Sequence, residues 1–278
     1  MAKHARTLNI IAEMIGLLES DHPMTVRQVY YRLVSRQVVE NNRGRYQAVS
    51  DALVDARKDG TIPWGWIEDR LRRPRTVSMW EDLADFADTA QRAYRRDVWL
   101  TQDVYIECWL EKDALSGIFE DALDEYGVTL NVGRGYDGWD SIHNAAQRYL
   151  DRDEDTVVLY FGDFDPSGED MVRSLRERLA FFDCEPEVVK CALTVQDVAR
   201  YNLPPNFTKT TDTRRADFVA KYGDVVVELD ALPADVLRQR LIEEVEGRMD
   251  LAALESVKTR ETREKERLTL ALSGVQNQ

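Results

Sequence analysis

The sequence predicts an α/β protein in which a group of N-terminal helices precedes a parallel sheet that is covered by helices. Three observations lead to this fold class. Stretches with apolar residues at helical spacing fill roughly the first sixty residues. From about residue 101, short β-branched and apolar runs alternate with helical stretches, which is typical of a parallel sheet. Acidic residues directly follow two of those runs, at the point where strands of such a sheet would end.

The pattern over residues 1–75 predicts three short helices and a turn-rich segment. The helical stretches are RTLNIIAEMIGLLESD, TVRQVYYRLVSRQVV with Thr25 as the N-cap, and RYQAVSDALVDARKDG, which Gly60 closes. The next segment, TIPWGWIEDRLRRPR, has β-branched and aromatic residues around Pro63 and Gly65, which indicates a short hairpin. Three helices and a wing describe a winged helix-turn-helix, which is a DNA-binding fold.

Basic residues in this region indicate a contact with DNA. Residues 1–75 contain 13 Lys and Arg against 9 Asp and Glu, whereas the whole chain has a net charge of −14. A locally basic region can contact phosphates even on an acidic protein. Four arginines follow the predicted wing, where a DNA backbone would pass: Arg70, Arg72, Arg73 and Arg75. A polar linker explains the same four residues equally well.

The remaining chain divides into three predicted parts. Residues 76–100 form a helical linker on the segment VSMWEDLADFADTAQRAY. Residues 101–250 form the α/β domain, with strands VYIECWL, VTLNV, TVVLYFG, EVVKCAL and DVVVEL, and helices beginning near Asp113, Gly138, Gly168, Thr194 and Pro233. Residues 251–278, which are rich in Glu, Lys and Arg, form an exposed helix and a tail.

The composition is typical of a globular protein of the cytoplasm. Hydrophobic residues make up 44% and charged residues 32% of the chain, and no apolar run approaches the roughly 18 residues of a membrane span. The stretch MAKHARTLNIIAEM mixes charges with apolar residues, so it fits a helix better than a signal peptide. The three cysteines have no paired spacing, which argues against disulfides and zinc. We therefore expect a reducing, cytoplasmic location and no membrane partner.

Three carboxylates are predicted to converge at one edge of the sheet. Asp163 and Asp165 follow the most hydrophobic strand in GDFDPSG, and residues two apart in an extended segment project the same way. Glu111 ends another strand, and the carboxyl ends of parallel strands share one edge. Carboxylates without His or Cys suit a hard cation, of which Mg²⁺ fits best. A divalent cation would also neutralise the repulsion between these acids.

A structural role is the alternative for the two aspartates. Asp163 and Asp165 can shape a turn and cap the helix that starts near Gly168. The presence of Glu111 at a second strand end favours the metal site. Glu107 is a weaker candidate because it lies inside its strand, where we expect it to face the surface.

These motifs resemble the Toprim domain, which has one Glu after its first strand and an Asp-x-Asp after a later one. More narrowly, the chain resembles the topoisomerase VI A subunit and its relative, the meiotic double-strand-break transesterase. The resemblance spans nearly the whole chain, and its segments are LEKDALSGIF, GRGYDGWD, GDFDPSGEDM and VELDALPADVLRQRL. Its most specific part is the Asp-Pro-x-Gly pattern. The resemblance implies an N-terminal winged helix-turn-helix followed by a Toprim-like parallel α/β sheet domain.

The family also places a catalytic tyrosine on a winged-helix helix, in an Arg-x-x-aromatic-Tyr pattern. In TVRQVYYRLV this pattern puts Tyr31 at the nucleophile and Tyr30 at the preceding aromatic. A phenol with a pKa of about 10 needs a nearby cation, and Arg27 lies one helical turn before Tyr31. Core packing is the alternative for both tyrosines. Because Tyr30 fits the buried apolar stripe better, we expect Tyr31 to point outward and to be accessible to solvent.

The resemblance implies a DNA strand-cleaving transesterase of the type IIB topoisomerase A-subunit kind. Tyr31 would attack a backbone phosphate and form a 5′-phosphotyrosyl link, with Mg²⁺ on Glu111, Asp163 and Asp165. It also implies a homodimer in which the tyrosine of one subunit works with the metal site of the other. The sequence has no Walker-type glycine loop, so ATP-driven strand passage would need a separate ATP-binding B-type subunit. A Toprim nuclease that uses water, and a non-catalytic winged-helix DNA-binding protein, remain as alternatives.

Overall fold

The structure, a computed structural model, describes residues 2–67, 77–133, 138–205 and 213–276. Its first three helices are α1 (Ala2–Ser20), α2 (Val26–Ser35) and α3 (Arg43–Lys58), as the apolar spacing predicts. Thr25 caps α2: its hydroxyl accepts from the N–H of Gln28, and the Gln28 side chain accepts from the N–H of Thr25. Asn42 caps α3, and Gly60 follows it with φ at +83°, a conformation that favours glycine. The three helices pack on one another and share a buried core.

The segment after α3 differs from the predicted hairpin in its described part. Trp64–Trp66 form a single 3₁₀ turn, and Ile67 makes one parallel bridge with Met24. The N–H of Met24 donates to the carbonyl of Trp66 at 3.0 Å, so this turn is fixed to the start of α2. The four arginines predicted to contact DNA, Arg70, Arg72, Arg73 and Arg75, lie outside the described residues.

The predicted linker forms part of a helical pair. Helix α4 (Leu83–Ala93) packs against α11 (Leu251–Gln276), the last helix of the chain. The hydroxyl of Tyr94 donates to Glu264 at 2.6 Å, and the guanidinium of Arg96 pairs with the same carboxylate at 2.7 Å. None of the helices in the described residues has the length and apolar character needed to cross a membrane.

A four-stranded parallel sheet forms the centre of the second part of the chain. Its strands are β1 (Val104–Leu110), β2 (Thr129–Val132), β3 (Asp155–Phe161) and β4 (Glu187–Ala192), in the order β2-β1-β3-β4. The inner strands β1 and β3 are buried almost throughout, as expected for a parallel sheet with both faces covered. The remaining helices are α5 (Ser116–Leu123), α6 (Trp139–Leu150), α7 (Pro166–Ala180), α8 (Val195–Arg200), α9 (Arg215–Tyr222) and α10 (Ala234–Glu246). The parallel α/β prediction is confirmed at this level.

The prediction of a fifth strand at DVVVEL is wrong. Val227 forms an isolated antiparallel bridge to Phe164 beside the sheet, and the two hydrogen bonds of this bridge are both 2.9 Å long. The chain then turns into a 3₁₀ segment at Leu229–Ala231. The N–H of Leu229 donates to the side chain of Asp163 at 2.7 Å instead of to a neighbouring strand. A side chain therefore takes the position that a further ladder bond would need.

Candidate active site

The ends of β1 and β3 bring two of the predicted metal ligands together. Leu110 pairs with Phe161, so the two strands end level with each other. Glu111 follows β1, and its Oε2 accepts from the N–H of Asp163 at 2.9 Å and from the hydroxyl of Tyr160 at 3.2 Å. The carboxylate of Glu111 therefore lies directly beside the chain that leaves β3.

Two glycines permit this close approach. A Cβ on Gly162 would lie 2.6 Å from Oε2 of Glu111, and a Cβ on Gly168 would lie 2.1 Å from the carbonyl oxygen of Asp163. Both distances are far below van der Waals contact. A side chain at either position would therefore displace the strand ends that carry Glu111, Asp163 and Asp165, which we call the carboxylate edge. The GDFDPSG segment thus has its glycines where space requires them.

Asp163 and Asp165 are held by different partners. Oδ1 of Asp163 accepts from the N–H of Leu229 at 2.7 Å, and its Oδ2 lies 3.0 Å from Nζ of Lys112. Asp165 is the N-cap of α7, and its Oδ1 accepts from the N–H of Gly168 at 2.6 Å. The capping role that was the alternative for Asp165 is therefore present. It occupies one carboxylate oxygen only.

Burial and mutual repulsion raise the pKa values of two of these acids. The pKa of Glu111 is raised mainly because the carboxyl is buried, and further because Asp163 and Asp165 lie nearby. The pKa of Asp165 is also raised by burial, while the hydrogen bond from Gly168 lowers it and the charge of Asp163 raises it. A positive charge at this edge would reduce the repulsion between the carboxylates, which contributes to both raised pKa values.

The donor atoms suit a hard cation, although they do not form a closed metal site. All three side chains offer carboxylate oxygens, and no thiolate or imidazole accompanies them, which is the chemistry of an Mg²⁺ site. Within the described residues, no three His, Cys, Asp or Glu side chains are grouped as metal ligands. Lys112 already lies on Asp163, so a metal at this carboxylate would compete with a lysine.

A chain of ion pairs leads from this edge to α2. Nζ of Lys112 lies 2.8 Å from Oε2 of Glu228 as well as 3.0 Å from Asp163. Glu228 in turn pairs with the guanidinium of Arg27, which also pairs with the buried carboxylate of Asp230. Burial raises the pKa of Asp230, while the charges of Lys112 and Arg27 lower it. Alternating charges thus connect the carboxylate edge with the helix that carries the tyrosine pair.

Tyr31 is buried, although the sequence predicts that its side chain is accessible to solvent. Its relative exposure is 6%, and that of Tyr30 is 3%. The Arg27 guanidinium lies 5.8 Å from the centre of the Tyr31 ring, which agrees with their predicted position on one helix face. Burial raises the pKa of Tyr31 to about 12, Arg27 lowers it, and Asp230 and Asp163 raise it. The expectation of an outward-pointing side chain is wrong, because Tyr31 is largely buried and lines the wall of a cavity between α2 and α3. The segment Leu229–Ala231 also packs against α2.

Glu107 is fully buried, so the prediction that it faces the surface is wrong. Arg148 binds both of its oxygens at 2.9 Å, and Tyr105, Tyr149 and Asn131 donate to it at 2.6 to 2.8 Å. Five hydrogen bonds satisfy this carboxylate, and they connect β1 with β2 and α6. Glu107 therefore has a structural role in the sheet domain.

Sequence reasoning missed three residues of the ion-pair chain: Lys112, Glu228 and Asp230. The first directly follows Glu111, and the other two lie two residues apart in VELDALPADVLRQRL; of these two, Glu228 also falls in DVVVEL, which the sequence predicts as a strand. Two acids at alternating positions after an apolar run were the available signal, as they were for Asp163 and Asp165. No protein-family model matches the chain, and no curated protein matches it at a significant level.

Proposed function

We propose that this chain is a DNA strand-cleaving transesterase of the type IIB topoisomerase A-subunit kind, with Tyr31 as its nucleophile. The observation that supports the proposal is the continuous path of contacts from Tyr31 through Arg27, Glu228 and Lys112 to Asp163. A phosphate bound along this path would contact cations from the helical part and from the sheet part of the same chain. Cations in these positions would stabilise the negative charge that develops when a phenol attacks a phosphodiester.

Each residue has a defined task in the reaction. The phenol oxygen of Tyr31 forms a bond to phosphorus and releases its proton to solvent. The bond from phosphorus to the 3′ oxygen breaks, and the 3′ oxygen takes up a proton in exchange. The products are a 5′-phosphotyrosyl link and a free 3′-hydroxyl, and reversal of the step reseals the strand. Arg27 stabilises the phenolate, and Lys112 places a positive charge at the phosphate oxygens. Mg²⁺ held by Glu111, Asp163 and Asp165 would add positive charge at the leaving oxygen.

DNA must replace a carboxylate at Arg27 before this reaction. Glu228 and Asp230 occupy the guanidinium in the absence of substrate. A phosphate pairs with arginine in the same bidentate geometry as a carboxylate, so it can take the place of one of these acids. The same exchange at Lys112 would release Asp163 for a metal ion.

We also propose that the helical part of the chain is a winged helix and that the sheet part is a Toprim-like domain. Three N-terminal helices support a winged helix, and a parallel sheet with acids after β1 and β3 supports a Toprim-like domain. Arg70, Arg72, Arg73 and Arg75 would contact the DNA backbone. A homodimer and a separate ATP-binding subunit stay predictions from the resemblance.

A nuclease that uses water is the second candidate, and the burial of Tyr31 favours it. A phenol with a pKa of about 12 is protonated at neutral pH, whereas a metal ion held by the carboxylates would activate a water molecule there without any role for the buried phenol. In this alternative Tyr31 packs the core and Arg27 only binds phosphate.

The chemistry of the cut ends distinguishes the two candidates. Supercoiled DNA is incubated with the protein and Mg²⁺ or Mn²⁺, denatured, and treated with protease. A transesterase leaves 5′ ends that carry a tyrosyl peptide and resist an exonuclease that requires a 5′-phosphate. Degradation by that exonuclease would show hydrolysis, and intact DNA under all divalent conditions would contradict both enzymatic candidates.

A mixing experiment tests which chain supplies each group. The resemblance implies that Tyr31 works with the acids of a partner subunit, whereas the contacts described above join it to the acids of its own chain. Tyr31→Phe protein mixed with Asp165→Asn protein regains nicking only if the two groups act across subunits. We expect no nicking from this mixture, because the contacts favour a site within one chain.

A further inference from the structure

A cavity of about 280 Å³ opens between α2 and the start of α3, on the same side as Tyr31. Tyr30, Tyr31 and Tyr46 form its aromatic wall, and the polar lining consists of Asn41, Asn42, Arg43, Arg27 and Glu228. The acid among them, Glu228, is paired with Arg27. Its volume is at the small end of ligand sites, which suits a group of nucleoside size. The reaction proposed for Tyr31 leaves most of this space unused.

The walls of the cavity are held in place by their own contacts. The Tyr30 hydroxyl lies 3.1 Å from both Oδ1 of Asn41 and the carbonyl oxygen of Asn42, which fixes the connection between α2 and α3. The Tyr30 ring meets Tyr31 and Tyr46 edge to face, each at 5.2 Å between ring centres. The cavity therefore exists before any ligand binds, so that little ordering is needed on binding.

The chemistry of the lining indicates a planar ligand that carries an anionic group. Tyr46 is half-buried and offers an aromatic surface, and the carboxamide of Asn41 is a group that can recognise the edge of a base. Arg43 is exposed at the first position of α3 and forms no ion pair with any of the described residues. A nucleotide combines a planar base with an anionic phosphate.

We propose that this cavity binds one unstacked nucleotide of the DNA substrate, next to the phosphate that Tyr31 attacks. The base lies against Tyr46 with its edge at Asn41, and its phosphate contacts Arg43. This inference rests on the proposed function, because it assigns the substrate of the same site. Tyr46 and Asn41 would then determine specificity, because the protein would prefer DNA positions at which a base leaves the stack easily.

Binding to mismatched DNA tests the proposal independently of cleavage. The probe is a fluorescein-labelled duplex that is either fully paired or has one central mismatch, and its affinity for Tyr31→Phe protein is measured by anisotropy in EDTA. A mismatched base is already partly unstacked, so we expect at least about tenfold tighter binding of the mismatched duplex. Tyr46→Ala should remove this preference, whereas Tyr46→Phe should keep it.

Matched controls come from a second cavity of the chain, next to α8. Arg200 is exposed and Tyr201 is half-buried there, as Arg43 and Tyr46 are here. Arg43→Ala should weaken the binding of both duplexes, while Arg200→Ala and Tyr201→Ala should change neither. If Tyr46→Ala does not fold by circular dichroism, Asn41→Ala takes its place and should reduce the preference.

The outcomes separate this inference from the proposed function. Equal affinity for the two duplexes, or a preference that survives Tyr46→Ala, overturns the nucleotide site even if Tyr31 proves to be the nucleophile. Conversely, a preference that depends on Tyr46 supports the site even if Tyr31→Phe still cleaves DNA. Failure to bind either duplex overturns both.

Discussion

The ammonium group of Lys112 lies 3.0 Å from Oδ2 of Asp163. A lysine therefore neutralises the carboxylate that follows β3, at the position where the sequence predicts a metal ligand. The same group lies 2.8 Å from Glu228, so it also connects the carboxylate edge with the acids that hold Arg27. Any divalent cation at Asp163 has to share this carboxylate with Lys112 or displace it.

Lys112→Met should make the folded protein dependent on a divalent cation. Removal of one partner of a largely buried ion pair leaves Asp163 without compensation, and we expect a loss of about 3 kcal/mol in the free energy of unfolding. Mg²⁺ should restore much of this loss in the variant and have little effect on the parent. Thermal unfolding with and without Mg²⁺, at constant ionic strength, measures both effects. Equal responses of the two proteins to Mg²⁺ would argue against a cation site at Asp163.

Substitutions of Asp165 should separate its cap from its proposed role at the metal. Asp165→Asn keeps an oxygen for the N–H of Gly168 and should retain stability, whereas Asp165→Ala should lose about 1 kcal/mol. Both variants should lose cleavage that depends on divalent cations. Asp82 caps α4 through the N–H of Asp85 in the same way, so Asp82→Ala serves as the control that loses a cap and keeps cleavage. Cleavage by Asp165→Asn at the parent rate would restrict this residue to the cap.

The pH dependence of cleavage should follow the titration of Tyr31. Because burial raises its pKa to about 12, the phenolate fraction increases about tenfold with each pH unit throughout the range below that value. Single-turnover cleavage rates should therefore rise from pH 7 to beyond pH 9 without a plateau. Arg27→Ala removes the cation that lowers the pKa of Tyr31, so it should raise that pKa further and slow cleavage at every pH. A plateau near neutral pH would point to a different nucleophile.

Glu107→Gln should destabilise the sheet domain without changing cleavage. The buried carboxylate accepts two hydrogen bonds from Arg148, and the neutral amide leaves that guanidinium without its counter-charge. We expect a loss of about 3 kcal/mol, measured by urea unfolding. Glu187, at the exposed start of β4, provides the matched substitution on a strand, for which we expect no measurable loss. A normal urea midpoint for Glu107→Gln would contradict the structural role.

Most of the fold follows from local patterns in the sequence. The apolar spacing of α1, the Thr25 cap of α2 and the alternation of strands with helices each depend on neighbours within a few residues. The segment DVVVEL has the same local pattern as a strand, yet Leu229 gives its N–H to Asp163. That partner is distant in the sequence, so the pattern could not reveal it.

The sequence predicts the carboxylates of the candidate site, but it does not predict the ion pairs that its basic residues form. Parallel strands that end level bring Glu111 and Asp163 to one edge, and this follows from topology alone. The pairing of Arg27 with Asp230 joins residues about 200 positions apart. A helical pattern shows which residues share a face and does not show what covers that face.

A comparison of Tyr31→Phe with Tyr30→Phe shows whether Tyr31 is the nucleophile. Each variant and the parent are incubated with supercoiled DNA and Mg²⁺ or Mn²⁺, denatured, and examined for DNA that is covalently linked to protein. The account predicts an adduct at Tyr31 for the parent and for Tyr30→Phe, and none for Tyr31→Phe, which should still bind DNA through its arginines. Cleavage by Tyr31→Phe at the parent rate would contradict the account.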